Sequence, residues 1–239
     1  MKKYVNLFVF VFMIGACLSQ GRAQTKSAVS YKNPVVDIAM PDPTVIKAAD
    51  GYFYVYATES TRNVPIMKSK DLVEWTYCNT AFTNKTRPRF EPKAGIWAPD
   101  INYINNKYVL YYAMSVWGGE QTCGIGVATA DSPQGPFTDH GKMFRSNEIG
   151  VQNSIDPSFL QYEGRNYLVW GSFRGIYVNE LTEDGLSLKK RAEKKRIAGT
   201  AFEAAYIHKH GDYYYMFASI GSCCRGVEST YKVVVGRSK

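Results

Sequence analysis
The chain has 239 residues, 45% hydrophobic, 21% charged and 14% aromatic, with a formal net charge of +8. This is a globular composition, long enough for one good-sized core or two small ones, and it excludes a disordered or fibrous chain. The charge falls to +5 once Lys2, Lys3 and Arg22 are set aside with the leader, and no nucleic-acid-binding motif accompanies it, so no nucleic-acid partner is expected.

Residues 1–23 read as an export signal. Lys2 and Lys3 form the charged start, and the apolar run from Tyr4 to Ala16 is too short for a comfortable membrane span. Gly21 and Ala23 offer a cleavage site after Ala23. The IGAC stretch ending at Cys17 also fits a lipobox, which would leave a lipid-anchored cysteine. Both readings export the protein, to the periplasm, to the medium, or to a bacterial outer membrane as a lipoprotein. Residues 24–239 then form the folded part.

From Asp42 onward the sequence reads as hairpins. DPTVIKAADGYFYVYAT (42–58) is a short apolar strand, a turn at Asp50-Gly51 and an aromatic strand, and VPIMKSKDLVEWTYC (64–78) adds strand, turn and strand. DINYINNKYVLYYAMS (100–115) repeats the first plan around Asn105-Asn106, and CGIGVATADSPQGPFTDHG (123–141) repeats the second. DPSFLQYEGRNYLVWGS (156–172) turns at Glu163-Gly164 and is followed by GIYVNELTEDGLSL (175–188), again read as strand, turn and strand. The basic run Lys189 to Arg196 reads as a solvated loop. EAAYIHKHGDYYYMFAS (203–219) turns at Gly211-Asp212, and YKVVVGRSK (231–239) starts the next strand. These turn residues tolerate positive φ, and the tyrosine-rich alternating runs favour strands.

The acidic residues that open the four units, Asp42, Asp100, Asp156 and Glu203, are spaced 58, 56 and 47 residues apart. Four short strands per unit at that period predict an all-β fold of propeller blades, about three and a half of them. A two-sheet sandwich does not explain why acids recur at one place in each unit. The innermost strand of a blade lines the central axis, so the four acids are expected to converge on one end of it. Gathering like charges costs free energy, so their convergence implies chemistry or a bound cation. Glycosidic hydrolysis uses one protonated and one ionised carboxyl, whereas an oxygen-rich cluster also suits Ca2+. Trp97, just before Asp100, and Trp117 are candidate sugar platforms.

Other chemistry is poorly supported. His140, His208 and His210 read as turn residues rather than ligands, and no Cys/His spacing suggests zinc. The adjacent Cys223 and Cys224 fit a vicinal disulfide or two small packed residues, with packing preferred.

Taken together, DPTVI, WAPDI, NSIDPSF, GTAFEAAYI and GSCCRG, in that order, make the chain resemble glycoside hydrolase family 43 over nearly all of its length after about residue 32. The similarity within the family is greatest to endo-α-1,5-L-arabinanases. The resemblance implies a five-bladed β-propeller that hydrolyses arabinan with inversion. Asp42 would be the general base, Glu203 the general acid, and Asp156 the carboxyl that keeps Glu203 protonated and positioned. Trp97, Gly118, Asn153, Ser154, Ile155, Gly171, Ser172 and Phe173 would line the sugar subsites, and Asp100 would be structural. An α-L-arabinofuranosidase or β-xylosidase of the same family, or a non-catalytic sugar-binding propeller, are the alternatives. No cofactor is required for the chemistry. The family carries an axial ion, a candidate structural Ca2+, held in part by a later histidine that has no counterpart here. The sequence stops at Lys239 where the family continues, so an incomplete propeller with unpaired sheet edges is expected.

Overall fold
Fifteen strands follow the hairpin plan in the computed structural model, which describes residues 30–239. The export signal, with its cleavage site and Cys17, lies outside the described residues. The first sheet is β1 (Thr44–Lys47), β2 (Phe53–Tyr56), β3 (Pro65–Ser69) and β4 (Trp75–Thr80). The second is β5 (Gly95–Ile104), β6 (Lys107–Ser115), β7 (Gly124–Ala130) and β8 (Thr138–Arg145), followed by the one-turn helix α1 (Ser146–Ile149). The third is β9 (Ser158–Tyr162), β10 (Arg165–Trp170), β11 (Ile176–Glu180) and β12 (Lys195–Ala198). The fourth has three strands, β13 (Glu203–His210), β14 (Tyr213–Ile220) and β15 (Lys232–Ser238). Every sheet is an antiparallel meander whose spatial order is its chain order.

The innermost strands β1, β5, β9 and β13 touch in sequence, which is the arrangement of propeller blades around an axis. Tight turns join the two inner strands of each blade. Asn105 and Asn106 both have positive φ, as do Glu163 and Gly164, the type I′ pattern that matches the strand twist.

Side chains alternate across each strand, so one face of a blade packs on the blade before it and the other on the blade after it. Tyr54, Tyr56 and Ile66 of the first blade meet Ile101, Leu110 and Tyr112 of the second. Val109, Tyr111 and Val127 of the second meet Leu168 and Trp170 of the third. Val169 and Ile176 of the third meet Ala205 and Ala218 of the fourth. Each large side chain buried this way contributes about 1.5–3 kcal/mol, so the first two interfaces, with more and larger buried side chains, outweigh the third, where Ala205 and Ala218 are half of the buried set.

Three sequence expectations are corrected. GLSL (185–188) is not a strand, because Leu188 only bridges Leu181 to close a turn. The outer strand of the third blade is instead β12, which takes Lys195 and Arg196 from the basic run expected to be a loop. The histidines sit in strands rather than turns: His140 in β8, His208 and His210 in β13.

The four acids also do not share one position. The residue two before the inner-strand pairing that starts each blade, counted after the bulge where β5 and β13 have one, is Asp42, Ala98, Asp156 and Ala204, all in the left-handed region at φ 49, 41, 58 and 51. Glu203 is one residue ahead of that point. Asp100 is two beyond it, level with Thr44, Ser158 and Tyr206.

At that deeper level Asp100 is buried and joins three blades. Its carboxylate accepts from the Phe159 amide at 2.7 Å, Asn102 Nδ2 at 2.7 Å and Thr44 Oγ1 at 3.4 Å. Burial pushes its pKa up to about 6 despite these donors. The folded chain therefore holds this proton more tightly than the unfolded chain. The contribution to stability is largest at low pH and is lost as pH rises from about 4 to about 6. Relative to Asp100→Asn, the wild-type chain is expected to lose about 2 kcal/mol between pH 4 and pH 7. Urea unfolding of both proteins at pH 4 and pH 7 checks this, and an unchanged difference would refute it.

Candidate active site
The acids gather where the inner strands begin. Asp42 and Asp156 each precede a proline and hold positive φ, which turns the chain sharply onto the axis before β1 and β9. In the fourth blade the same backbone twist falls on Ala204, with a bulge between Glu203 and Tyr206. The bulge re-aims Glu203 at the head of β13, which is a recurrent use of bulges beside functional sites.

Asp156 is the electrostatic centre. Burial, then the facing charges of Glu203 and Asp42, push its pKa well above the usual carboxylate range, opposed only by the Ala204 amide. Glu203 is held by Ser172, whose Oγ donates to Oε2 at 2.7 Å. The Tyr231 phenol faces the same carboxylates, and burial, followed by Glu203 and Asp156, pushes its pKa up. Asp42 is exposed, and its Oδ2 accepts from Thr58 Oγ1 at 2.6 Å. Thr58 in turn accepts the Ala98 amide at 2.7 Å, tying the first blade to the second beside the acid.

A cavity of about 820 Å3 runs along the inner strands from Asp42 and Asp156, with Asp100, Ala204, Tyr206 and Tyr231 also in its lining. A larger groove of about 930 Å3 lies at the opposite end, by the Asn105 and Gly164 turns, away from the converging carboxyls. Among the described residues no three His, Cys, Asp or Glu side chains stand at metal-ligating spacing. No step below is routed through an ion.

The other expected subsite residues divide into two groups. Trp97 lies in β5, partly buried on Ala113, Cys123 and Ile155, with Trp117 tilted over it at 5.5 Å between ring centres. Trp117 is 79% exposed, so the pair presents an aromatic face at the rim, and Gly118 follows it in a turn at φ 77. Asn153, at φ 54, donates to Ser172 Oγ at 2.8 Å and so supports the residue that holds Glu203. Phe173 is partly buried, and its amide donates to the Phe202 carbonyl next to Glu203. Gly171 has φ 123 and backs onto the Gly175 carbonyl, where a Cβ would collide.

Ser154 and Ile155 are both buried. Ser154 is 0% exposed, with its amide on Ser146 Oγ and its hydroxyl on the Val151 carbonyl, and Ile155 is buried beside Trp97. Cys223 and Cys224 form the vicinal disulfide instead of packing as free thiols.

Sequence reasoning missed Thr58 and Tyr231. A signal for Thr58 existed: two of the second strands are followed, two residues on, by a hydroxyl side chain, Thr58 after β2 and Ser172 after β10. Each holds an acid.

A model of glycosyl hydrolases family 43 matches residues 31–239. The chain is 37% identical over 212 residues to extracellular endo-alpha-(1->5)-L-arabinanase 1 of Bacillus subtilis, covering 83% of this chain and 64% of that protein. It is 33% identical over 226 residues to an extracellular exo-alpha-(1->5)-L-arabinofuranosidase of Cellvibrio japonicus, covering 83% and 63%. Among solved structures it superposes on the Cellvibrio cellulosa alpha-L-arabinanase complexed with arabinohexaose with a TM-score of 0.75, 31% identity, and coverage of 84% and 71%. For a Bacillus licheniformis endo-arabinanase the values are 0.74, 33%, 84% and 72%. The chain thus spans a little under two thirds of these two curated relatives.

The raised pKa of Asp156 has a stability consequence. Its ionisation is disfavoured by folding, so stability falls as pH rises above the ordinary carboxylate range toward its raised value. Asp156→Asn is therefore expected to raise Tm at pH 7 and to give no gain at pH 4, where the wild-type carboxyl is protonated in the folded chain. Thermal melts at the two pH values check this, and a lower Tm for the variant at pH 7 would count against it.

Proposed function
The chain belongs to glycosyl hydrolase family 43, and on that footing we propose that it hydrolyses α-1,5-L-arabinofuranosidic bonds of arabinan with inversion. The observation that carries the reading is the buried Asp156 carboxyl facing both Glu203 and Asp42 at one end of the axis. Three carboxyls so placed cannot all be ionised without cost, and hydrolysis of a glycoside needs a proton held on one side and a free carboxylate on the other.

Asp42, open to solvent with Thr58 on Oδ2, keeps Oδ1 available to take a proton from water. That water attacks the anomeric carbon. Glu203, fixed through Oε2 by Ser172, gives its proton to the departing glycosidic oxygen as the carbon–oxygen bond breaks. Asp156 keeps that proton within the Asp156–Glu203 pair and orients the acid. Trp97 and Trp117 offer the apolar face on which a sugar ring stacks. Export is part of the proposal, supported by the leader and by relatives described as extracellular.

Release of reducing sugar from linear α-1,5-arabinan, with xylan as control, tests the reading. Activity is expected on arabinan only, and the size of the first products separates internal from terminal cleavage. Glu203→Gln and Asp42→Asn are each expected to lower kcat by about 10²–10⁴-fold, with the first product appearing as the inverted anomer by NMR. Glu203→Gln with wild-type turnover would remove the acid from its role.

A further inference from the structure
Between the β2–β3 loop of the first blade and the loop from β4 into β5 is a third cavity, of about 330 Å3. Its charged lining is Arg62, Arg87, Arg89, Lys93 and Glu91. Two of these charges are already neutralised. Arg87 makes a bidentate pair with Glu59, and the same two terminal nitrogens also donate to Asn63 Oδ1 and the Ala94 carbonyl. Glu91 is paired with Arg145 and accepts from Thr122.

Arg62, Arg89 and Lys93 remain, and among the described residues none of them has a carboxylate partner. The two guanidiniums are held from one residue, Asn84. Its Oδ1 accepts from Arg62 Nε at 3.1 Å, and its carbonyl accepts from Arg89 Nη2 at 3.1 Å. This leaves both nitrogens of the Arg62 fork and one edge of Arg89 to meet a planar anion, the geometry in which arginine recognises carboxylate. Pro88, Pro92 and Met114 supply apolar walls. The volume is at the small end of ligand sites, suited to a single sugar ring.

The cavity opens at the same end of the fold as the acids. Glu59, which holds Arg87, directly follows Thr58, which holds Asp42. Ala94, which lines the cavity, directly precedes β5 and its Trp97.

We propose that this cavity binds a carboxylate-bearing sugar, a uronic acid unit of the polysaccharide that the chain acts on. The inference rests on the hydrolase reading: a neutral segment occupies the axial cleft while an acidic unit docks on Arg62, Arg89 and Lys93. Arg62, Arg89 and Lys93 are all solvent-exposed and so open to an anionic ligand.

The test is calorimetric titration at low ionic strength with trigalacturonate, with neutral arabinotriose and inorganic sulfate as comparisons. Trigalacturonate is expected to bind, and Arg62→Ala/Arg89→Ala to weaken it at least about tenfold, while the rate on linear neutral arabinan stays unchanged. Lys93→Ala, expected to weaken binding in the same direction, serves if the double variant melts below the wild type. Binding that is absent, unaffected by these substitutions, or matched by sulfate alone would overturn the proposal. Arabinan hydrolysis without trigalacturonate binding removes only this site. Site-dependent binding without hydrolysis keeps the site as an acidic-sugar contact and removes the hydrolase reading.

Discussion
One buried carboxylate holds the inner ends of the blades in place. Asp100 belongs to β5, yet it accepts from the backbone of β9 and from a side chain of β1. Asp42 stands two residues before its β1 partner, and Asp156 three residues before its β9 partner. The spacing of the exposed acid and the buried one therefore depends on a contact one layer beneath them. Burial works against the ionised form of Asp100, and its three donors work in favour of it. The position is thus sensitive to charge, and it borders the same cavity that Asp42 and Asp156 line.

The candidate site follows from the same economy of layers. Asp42 is solvent-exposed with one oxygen free, Glu203 is held by a serine from the neighbouring blade, and Asp156 lies buried between their charges. Neutral hydroxyls rather than cations support these acids. A lysine or arginine in their place would pair with the carboxyls and favour ionisation of every one of them. Cations are instead gathered outside the axial cleft, where Arg87 and Arg145 pair with Glu59 and Glu91 and brace the loops.

Much of this was legible in the sequence because the signals were local. Asp50-Gly51, Asn105-Asn106 and Glu163-Gly164 mark turns through their own backbone preferences, and alternation around them marks the strands. The Asp-Pro pairs at Asp42 and Asp156, with Glu203 in a matching unit, pointed to one end of an axis. What escaped has no local mark. The hold of Thr58 on Asp42 spans 16 residues, and that of Asp100 on Phe159 spans 59. Lys195 and Arg196 look like solvated loop, and only their pairing with β11 makes them strand. Ser154 is polar and lies beside the motif acid, but Ser146 and Val151 turn it inward. The acids themselves were aligned by residue type, whereas the backbone aligns on the left-handed position that alanine fills in two of the four blades.

The meander order of the sheets bears on how the chain acquires its structure. Each blade is a contiguous stretch, so its pairings close short loops, and packing between blades links neighbours in sequence. All-β proteins usually fold slowly because their contacts are distant along the chain. Here the cost is divided among segments that resemble the units of a repeat protein, each stabilised chiefly by the one before it. A chain emerging from the ribosome can thus complete its first blade, with Asp42 already turned into place, before the residues of β13 have been made.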